Sequence, residues 1–230
     1  MKIICLIPAR GGSKSIPRKN IKLLAGRPLI DYSIKYSMNC SIVNRTIVST
    51  EDDEIAKIAL SCGADVPFLR PLEFAMDDSK DFPVIKHCFD YLESNGEIYD
   101  YYILLRPTSP LRKPGLIEQA IDLMKANPNA SSVRAVTTAD QHPYRVWRLE
   151  DQYIKSYITS KNIFEPYNIP RQLLPQAFFQ TGDIEVMRRE TIMTGSVSGN
   201  NILPLFIDDY IDIDNEKDIY DAEKKIKDIK

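Results

Sequence analysis

The sequence predicts an α/β fold: a Rossmann-like, doubly wound and mostly parallel sheet, with a β-hairpin arm inserted late in the chain. Three features predict it. Up to Val136, short apolar runs alternate with segments whose apolar residues recur every three or four positions, the pattern of strands joined by crossover helices. The runs are apolar at consecutive positions, as strands covered on both faces must be. From Thr138 to Gln180 the alternation gives way to an aromatic-rich stretch before it resumes. The chain of 230 residues, 43% of them hydrophobic, therefore reads as one domain spanning 1–230, with 138–180 as an inserted arm.

Taken in order, Lys2–Ile7 is a continuous apolar run and the first strand, followed by a polar loop from Pro8 to Leu24. Pro28–Met38 reads as a helix, with Pro28 suited to the first turn and Ile30, Ile34 and Met38 at spacing four. Arg45–Ser49 is the next strand. Thr50, three residues before Asp53, reads as the cap of a helix with the stripe Ile55, Ile58, Ala59 and Cys62, ended by Gly63. A short strand is expected over Asp65–Phe68. Ser79 is placed to cap a helix whose Val84, Ile85, Cys88, Phe89 and Leu92 share one face. Tyr101–Leu105 is again apolar throughout, and Pro114–Ala126 carries the stripe Leu116, Ile117, Ala120, Ile121 and Met124. Ser131–Val136 is a further strand. Tyr144–Leu149 and Tyr153–Ile158, joined through Glu150-Asp151-Gln152, read as a hairpin. It holds the single Trp, Trp147, and its aromatic enrichment suits a dimerisation arm. Strands at Ile184–Met187 and Leu203–Ile207 return to the sheet, and a helix after Asn215 would bury Ile219, Ala222 and Ile226.

Charge and composition exclude several classes. Thirty Lys+Arg against 32 Asp+Glu leave a formal charge of −2, which argues against a nucleic-acid partner needing a basic face. No apolar run is long enough for a membrane span, and the opening run Ile3–Ile7 stops at Pro8 and Arg10, too soon for a signal peptide. A cytoplasmic location is expected. Cys5, Cys40, Cys62 and Cys88 are widely spaced with no Cys-x-x-Cys pair, so four buried reduced thiols are expected rather than a zinc site.

Ligands of open parallel sheets bind outside the carboxyl ends of the strands, so the loops there carry the functional signal. After the first strand, Arg10, Lys14, Arg18, Lys19 and Lys22 surround Gly11, Gly12 and Ser13. Glycines let backbone N–H groups approach an anion and the cations neutralise its oxygens, which points to a triphosphate. The spacing is that of neither a P-loop nor a Gly-x-Gly-x-x-Gly turn. Near the other end, Asp212-Ile213-Asp214 places two carboxylates two residues apart, on one face if the segment is a strand. Such a pair suits a hard divalent cation, although Asp214 or Asn215 could instead cap the last helix. Between them, Arg106-Pro107-Thr108-Ser109-Pro110-Leu111-Arg112 brackets two hydroxyls with prolines and brings two guanidiniums toward the crevice.

These three segments, with the fainter Val48-Ser49-Thr50-Glu51-Asp52, Ala75-Met76-Asp77-Asp78 and Pro170-Arg171-Gln172-Leu173-Leu174-Pro175, resemble the signatures of the N-acylneuraminate cytidylyltransferases, colinearly over nearly the whole chain. The resemblance implies a homodimeric, Mg²⁺-dependent enzyme that couples CTP to an acidic nine-carbon 2-keto sugar and releases pyrophosphate. It implies that Arg10, Gly11, Gly12, Ser13, Lys14, Lys19 and Asn20 hold the triphosphate, Lys14 and Lys19 also serving catalysis. Arg70, Asp78, Thr108 and Ser109 would lie along the nucleoside, and Asp212 and Asp214 would hold the metal. Arg106, Arg171, Gln172, Gln180 and Thr181 would face the sugar. Arg106, Arg145 and Arg171 are candidates to meet its carboxylate. Family members often carry Gln where Arg106 stands and Asn-Gly where Thr181-Gly182 stands, both toward the sugar.

Two other readings are weighed. Asp-x-Asp also holds the metal–diphosphate of nucleotide-sugar glycosyltransferases, but those place it mid-chain. A non-catalytic nucleotide-binding protein would not need Lys14, Lys19 and both aspartates together.

Overall fold

The computed structural model describes residues 1–229. Its strands are β1 (Ile3–Pro8), β2 (Leu23–Leu24), β3 (Arg27–Pro28), β4 (Arg45–Ser49), β5 (Tyr101–Leu104), β6 (Ser132–Thr138), β7 (Trp147–Glu150), β8 (Tyr153–Ser156), β9 (Phe178–Arg188) and β10 (Ile202–Phe206). The helices are α1 (Leu29–Met38), α2 (Asp53–Ser61), α3 (Asp81–Ser94), α4 (Leu116–Ala126), α5 (Arg189–Met193) and α6 (Glu216–Ile229). Six strands form the main sheet in the order β10-β6-β9-β5-β1-β4. Neighbours pair in parallel except β9, which runs antiparallel to both β5 and β6. The mostly parallel Rossmann-like sheet of the sequence reading is the one present.

Both sheet faces are covered, and the central strands β1 and β5 are buried at nearly every position. Alternate residues of a strand point to opposite faces. Accordingly Ile3, Cys5 and Ile7 join Ile30, Ile34, Ile117 and Ile121 in one core, while Ile4 and Leu6 join Ile85, Cys88, Phe89 and Leu92 in the other. A third, smaller cluster joins the chain's two ends: Ile16, Leu24 and Leu29 pack against Ile213, Ile219 and Ala222. It brings the segment before α6 against the loop after β1.

Several expectations are corrected. Asp65–Phe68 forms no strand, only a parallel bridge between Asp65 and Ile47; Pro67 has no N–H to extend the ladder. The cap of α2 is Asp52, whose carboxylate accepts from the Glu54 and Ile55 N–H groups, rather than Thr50. Lys80, not Ser79, precedes α3, and its side chain makes no capping bond. Pro28 lies just before the first turn of α1. Pro143 starts a 3₁₀ turn through Arg145, so the hairpin begins only at Trp147. β9 starts at Phe178, well before Ile184, with a register irregularity opposite Arg134 and Val136; its polar first half, through Gly182 and Asp183, reads as loop in the sequence. Cys5, Cys40 and Cys88 are buried and free, whereas Cys62 is only half-buried. The β7–β8 hairpin is exposed on both faces, Leu149, Tyr153 and Ile154 among the most open apolar side chains. No helix of the described residues is long and apolar enough to cross a membrane.

Candidate active site

From β1 the chain crosses to β4 on one side and later to β5 on the other, so the strand order reverses between β1 and β5. Loops leaving a reversal point diverge and open a crevice. The crevice here is a cleft of about 500 Å³, walled by the loop after β1, by Arg70 to Val84, by Arg106 to Thr108 and by Asp214.

The β1 loop supplies the cations, though not all five basic residues. Arg10, Lys14 and Lys19 line the cleft. Arg18, held at φ 56, turns away to pair with Asp52 and, at 2.5 Å, with Glu54; its guanidinium draws the Asp52 carboxyl down to about 2. Lys22 pairs with Glu216 at 2.5 Å. Arg10 donates to Met76 O at 2.7 Å and pairs with Asp77 at 3.1 Å, and Lys14 pairs with the same carboxylate. Asn20 Nδ2 donates to Arg10 O at 2.8 Å, fixing the loop from beneath. Gly11 and Gly12 do not line the cleft. The Gly11 N–H points back to Glu51 Oε1 at 2.7 Å, and a Cβ there would stand 2.6 Å from Asp52 Oδ2, so that glycine is required by close approach.

Glu51 also accepts from Arg70 Nη2 at 2.8 Å, a pair with the Arg70 side chain 3% and that of Glu51 11% exposed. A buried carboxylate therefore ties the glycine loop to the arginine on the far wall. Sequence reasoning gave Glu51 no role; its place just beyond the carboxyl end of β4 is the signal that could have found it.

On the acidic side, Tyr210–Asp214 is not a strand. Ile213 is buried in the third cluster and its N–H donates to Thr108 O at 2.8 Å, so this segment follows the β5 loop instead of pairing in the sheet. The two carboxylates consequently differ. Asp214 is exposed and pairs with Lys19 at 3.1 Å, while Lys19 also donates to Ile213 O at 2.9 Å. Asp212 is half-buried; its Oδ1 has no hydrogen-bond partner among the described residues. Burial first, then the Asp214 charge, pushes the Asp212 carboxyl up, against a hydrogen bond with Thr108. Asn215 takes the capping role, its Oδ1 accepting from Lys217 N at 2.9 Å while Asp218 accepts from Asn215 N at 2.9 Å. Asp214 is thereby left available. An unpartnered buried carboxylate oxygen beside a second carboxylate fits a hard divalent cation. Among the described residues no group of three or more His, Cys, Asp or Glu side chains is placed to hold a metal ion.

Thr108 lines the cleft, whereas Ser109 lies behind its wall, 1% exposed and with an unpartnered Oγ. Asp77, not Asp78, faces the cleft with Ser13, Asn20 and Arg70. Arg112 is structural: it donates to Asp183 O, to Ser33 Oγ at 2.9 Å and to Arg106 O at 2.6 Å, and burial lowers it to about 10. The sugar-side expectations disperse. Arg106 lines the cleft, held by Asp81 at 2.6 Å and Glu185 at 2.9 Å. Arg171 and Gln172 line a second cleft of about 430 Å³ with His142 and Phe178, and the Arg171 guanidinium is taken by Ala139 O and Asp140 O. Gln180 is exposed and accepts from Arg134, and Thr181 is buried near Ala135 O. Asp81, Arg134 and Glu185 were missed. Glu185 is a charge between buried Ile184 and Val186, and a carboxylate in such a run is itself a sign of a buried ion pair.

A family profile described as Cytidylyltransferase matches residues 4–225. The chain is 38% identical to the pseudaminic acid cytidylyltransferase of Campylobacter jejuni over 62% of this chain and 61% of that protein. It is 39% identical to the CMP-N,N'-diacetyllegionaminic acid synthase of Legionella pneumophila over 54% of each. The matched stretch thus spans about 60% or less of the length of these relatives. A CMP:2-keto-3-deoxy-manno-octonic acid synthetase solved in complex with CTP superposes with a TM-score of 0.75 over 100% of both chains at 16% identity, a likeness of fold. With the profile covering β1 through most of α6, the chain belongs to the cytidylyltransferase family.

Proposed function

We propose that the protein is a Mg²⁺-dependent cytidylyltransferase that joins CTP to a nonulosonic acid, giving the CMP-sugar and pyrophosphate. The observation that carries this reading is convergence. Cations from the first loop and the Asp214 carboxylate from just before the last helix meet in one cleft, with Lys19 bonded directly to Asp214. Residues more than 190 positions apart are brought together, as binding one nucleotide–metal unit requires.

In this reading Arg10, Lys14 and Lys19 neutralise the triphosphate, which displaces Asp77 from the first two. Asn20 and Glu51 hold the loop so that these cations are aimed before substrate arrives. Asp212 and Asp214 would hold Mg²⁺, which when bound supplies further charge neutralisation at the phosphate oxygens. The anomeric hydroxyl of the sugar attacks the α-phosphorus in line and gives up its proton to solvent, the bond from that phosphorus to the oxygen bridging to the β-phosphate breaks, and pyrophosphate leaves. The cleft contributes alignment and charge, and Arg70 and Thr108 lie along the nucleoside.

A second copy of the chain completes the proposal. The hairpin's two open faces carry Leu149, Tyr153 and Ile154, apolar surface of the kind a homodimer covers. The test is pyrophosphate release from CTP with and without pseudaminic or legionaminic acid. Release that needs Mg²⁺ and both substrates is expected; release from CTP alone, or none with any nonulosonic acid, refutes the reading.

A further inference from the structure

In a 2-keto acid sugar, one carbon bears both the carboxylate and the hydroxyl that attacks phosphorus. The cation receiving that carboxylate must therefore stand within a few ångströms of the reacting centre, beside the carboxylates assigned to the metal. Arg106 meets this condition. Its Cδ and Asp212 Oδ1 both lie within 4 Å of the point where a Cβ on Gly182 would stand. Arg171 lines the other cleft, and Arg145 is bonded to Ile169 O at 2.8 Å.

Arg106 already holds two carboxylates, and they are unequal. Glu185 is 4% exposed, lies 2.9 Å from Arg106 Nη2, and shares its other oxygen with Arg134 at 3.0 Å. It cannot leave without stranding buried charge. Asp81, 2.6 Å away, is 44% exposed and lies in the first turn of α3 on the cleft wall. A half-exposed pair of this kind is easily broken.

We propose that Arg106 is the receptor for the acceptor's carboxylate and that Asp81 is its exchangeable stand-in. The incoming carboxylate takes the place of Asp81 on the guanidinium while Glu185 keeps the side chain in position. The guanidinium is doubly paired before and after the exchange, so no buried charge is stranded on binding. This assignment rests on the nonulosonic-acid reading above and adds to it the group that discriminates an acid from a neutral sugar.

The test compares pseudaminic or legionaminic acid with the C1 amide of the same sugar, in steady-state kinetics with CTP. Arg106→Gln is expected to raise the KM for the acid about tenfold or more while moving that for CTP by less than about twofold, and to abolish the preference for acid over amide. Asp81→Asn removes the competing carboxylate; it is expected to lower the KM for the acid about threefold and to leave that for the amide in place. Melting curves report folding, and if Arg106→Gln does not fold, the acid–amide comparison in Asp81→Asn decides. An Arg106→Gln enzyme that keeps its preference for the acid, or an Asp81→Asn enzyme in which acid and amide shift alike, overturns the assignment while wild-type turnover leaves the broader reading standing. Absence of turnover by the wild type with every acid overturns both.

Discussion

Replacing Glu51 with Ala tests whether the cleft is held open by a buried charge. Its Oε1 accepts from the Gly11 N–H and its Oε2 from Arg70, and Arg70 is 5% exposed with an Nε that has no partner among the described residues. Truncation leaves the guanidinium without its counter-charge inside the protein, which costs about 3–5 kcal/mol. In a chain of this size about 2–4 °C of melting temperature follows each kcal/mol, so a drop of about 6–20 °C is expected by calorimetry or dye-monitored melting. The double variant Glu51→Met with Arg70→Met replaces the pair by apolar groups of similar volume, often neutral for stability. It is expected to recover at least half of the lost melting temperature, the Gly11 N–H remaining without its acceptor, while losing CTP binding. A Glu51→Ala protein melting within 2 °C of wild type, or a double variant as unstable as the single one, would refute the reasoning about ~3 kcal/mol of stranded charge.

Further outcomes follow from the same geometry. Asp212 is pushed up by burial, so the folded chain holds its proton more tightly than the unfolded chain does. Between the unfolded and folded values the native state binds more protons, and its stability falls as pH rises through that window. Asp212→Asn at neutral pH is therefore expected to melt at or above the wild-type temperature while turnover is lost; a lower melting temperature contradicts the burial account. At limiting Mg²⁺ turnover of the wild type should fall as pH drops, because a proton held on Asp212 competes with the ion, and saturating Mg²⁺ should move that acid limb to lower pH. Lys19→Met, which removes the cation bonded to Ile213 O and Asp214, should lower kcat/KM for CTP by about 10–100-fold, one charge-assisted contact. In the proposed homodimer, Leu149→Asp in the hairpin should give a monomer by light scattering; a monomeric wild type, or a mass unchanged by the substitution, removes the arm from any interface.

Where function depends on residues adjacent in sequence, the chain could be read directly. The loop after β1, the β1 and β5 strands and the paired aspartates all announce themselves by local pattern, and Arg10, Lys14, Lys19, Thr108 and Asp214 do share a cleft. What could not be read is which charges neutralise one another across the fold. Five basic residues follow β1, yet Arg18 and Lys22 are drawn off by Asp52 and Glu216, partners distant in sequence. Arg112 looks like Arg106 in the sequence but is consumed by Asp183 O and Ser33. Arg171 sits in a proline-flanked loop, but backbone carbonyls occupy its guanidinium. The strand geometry that would set Asp212 and Asp214 on one face is absent because Ile213 is pulled into a tertiary cluster that alternation alone does not reveal.

That cluster has a temporal consequence. The six-stranded sheet needs nothing beyond Phe206 to pair its strands, whereas Asp212 and Asp214 are stationed by Ile213 wedging against Ile219 and Ala222 of α6. During synthesis the sheet can mature while the acid pair still dangles, so a nascent chain stalled before α6 emerges would own a finished scaffold and an inert cleft. In the proposed reaction the cleft therefore depends on the closing helix, whose seating beside Ile16 and Leu24 stations the acid pair.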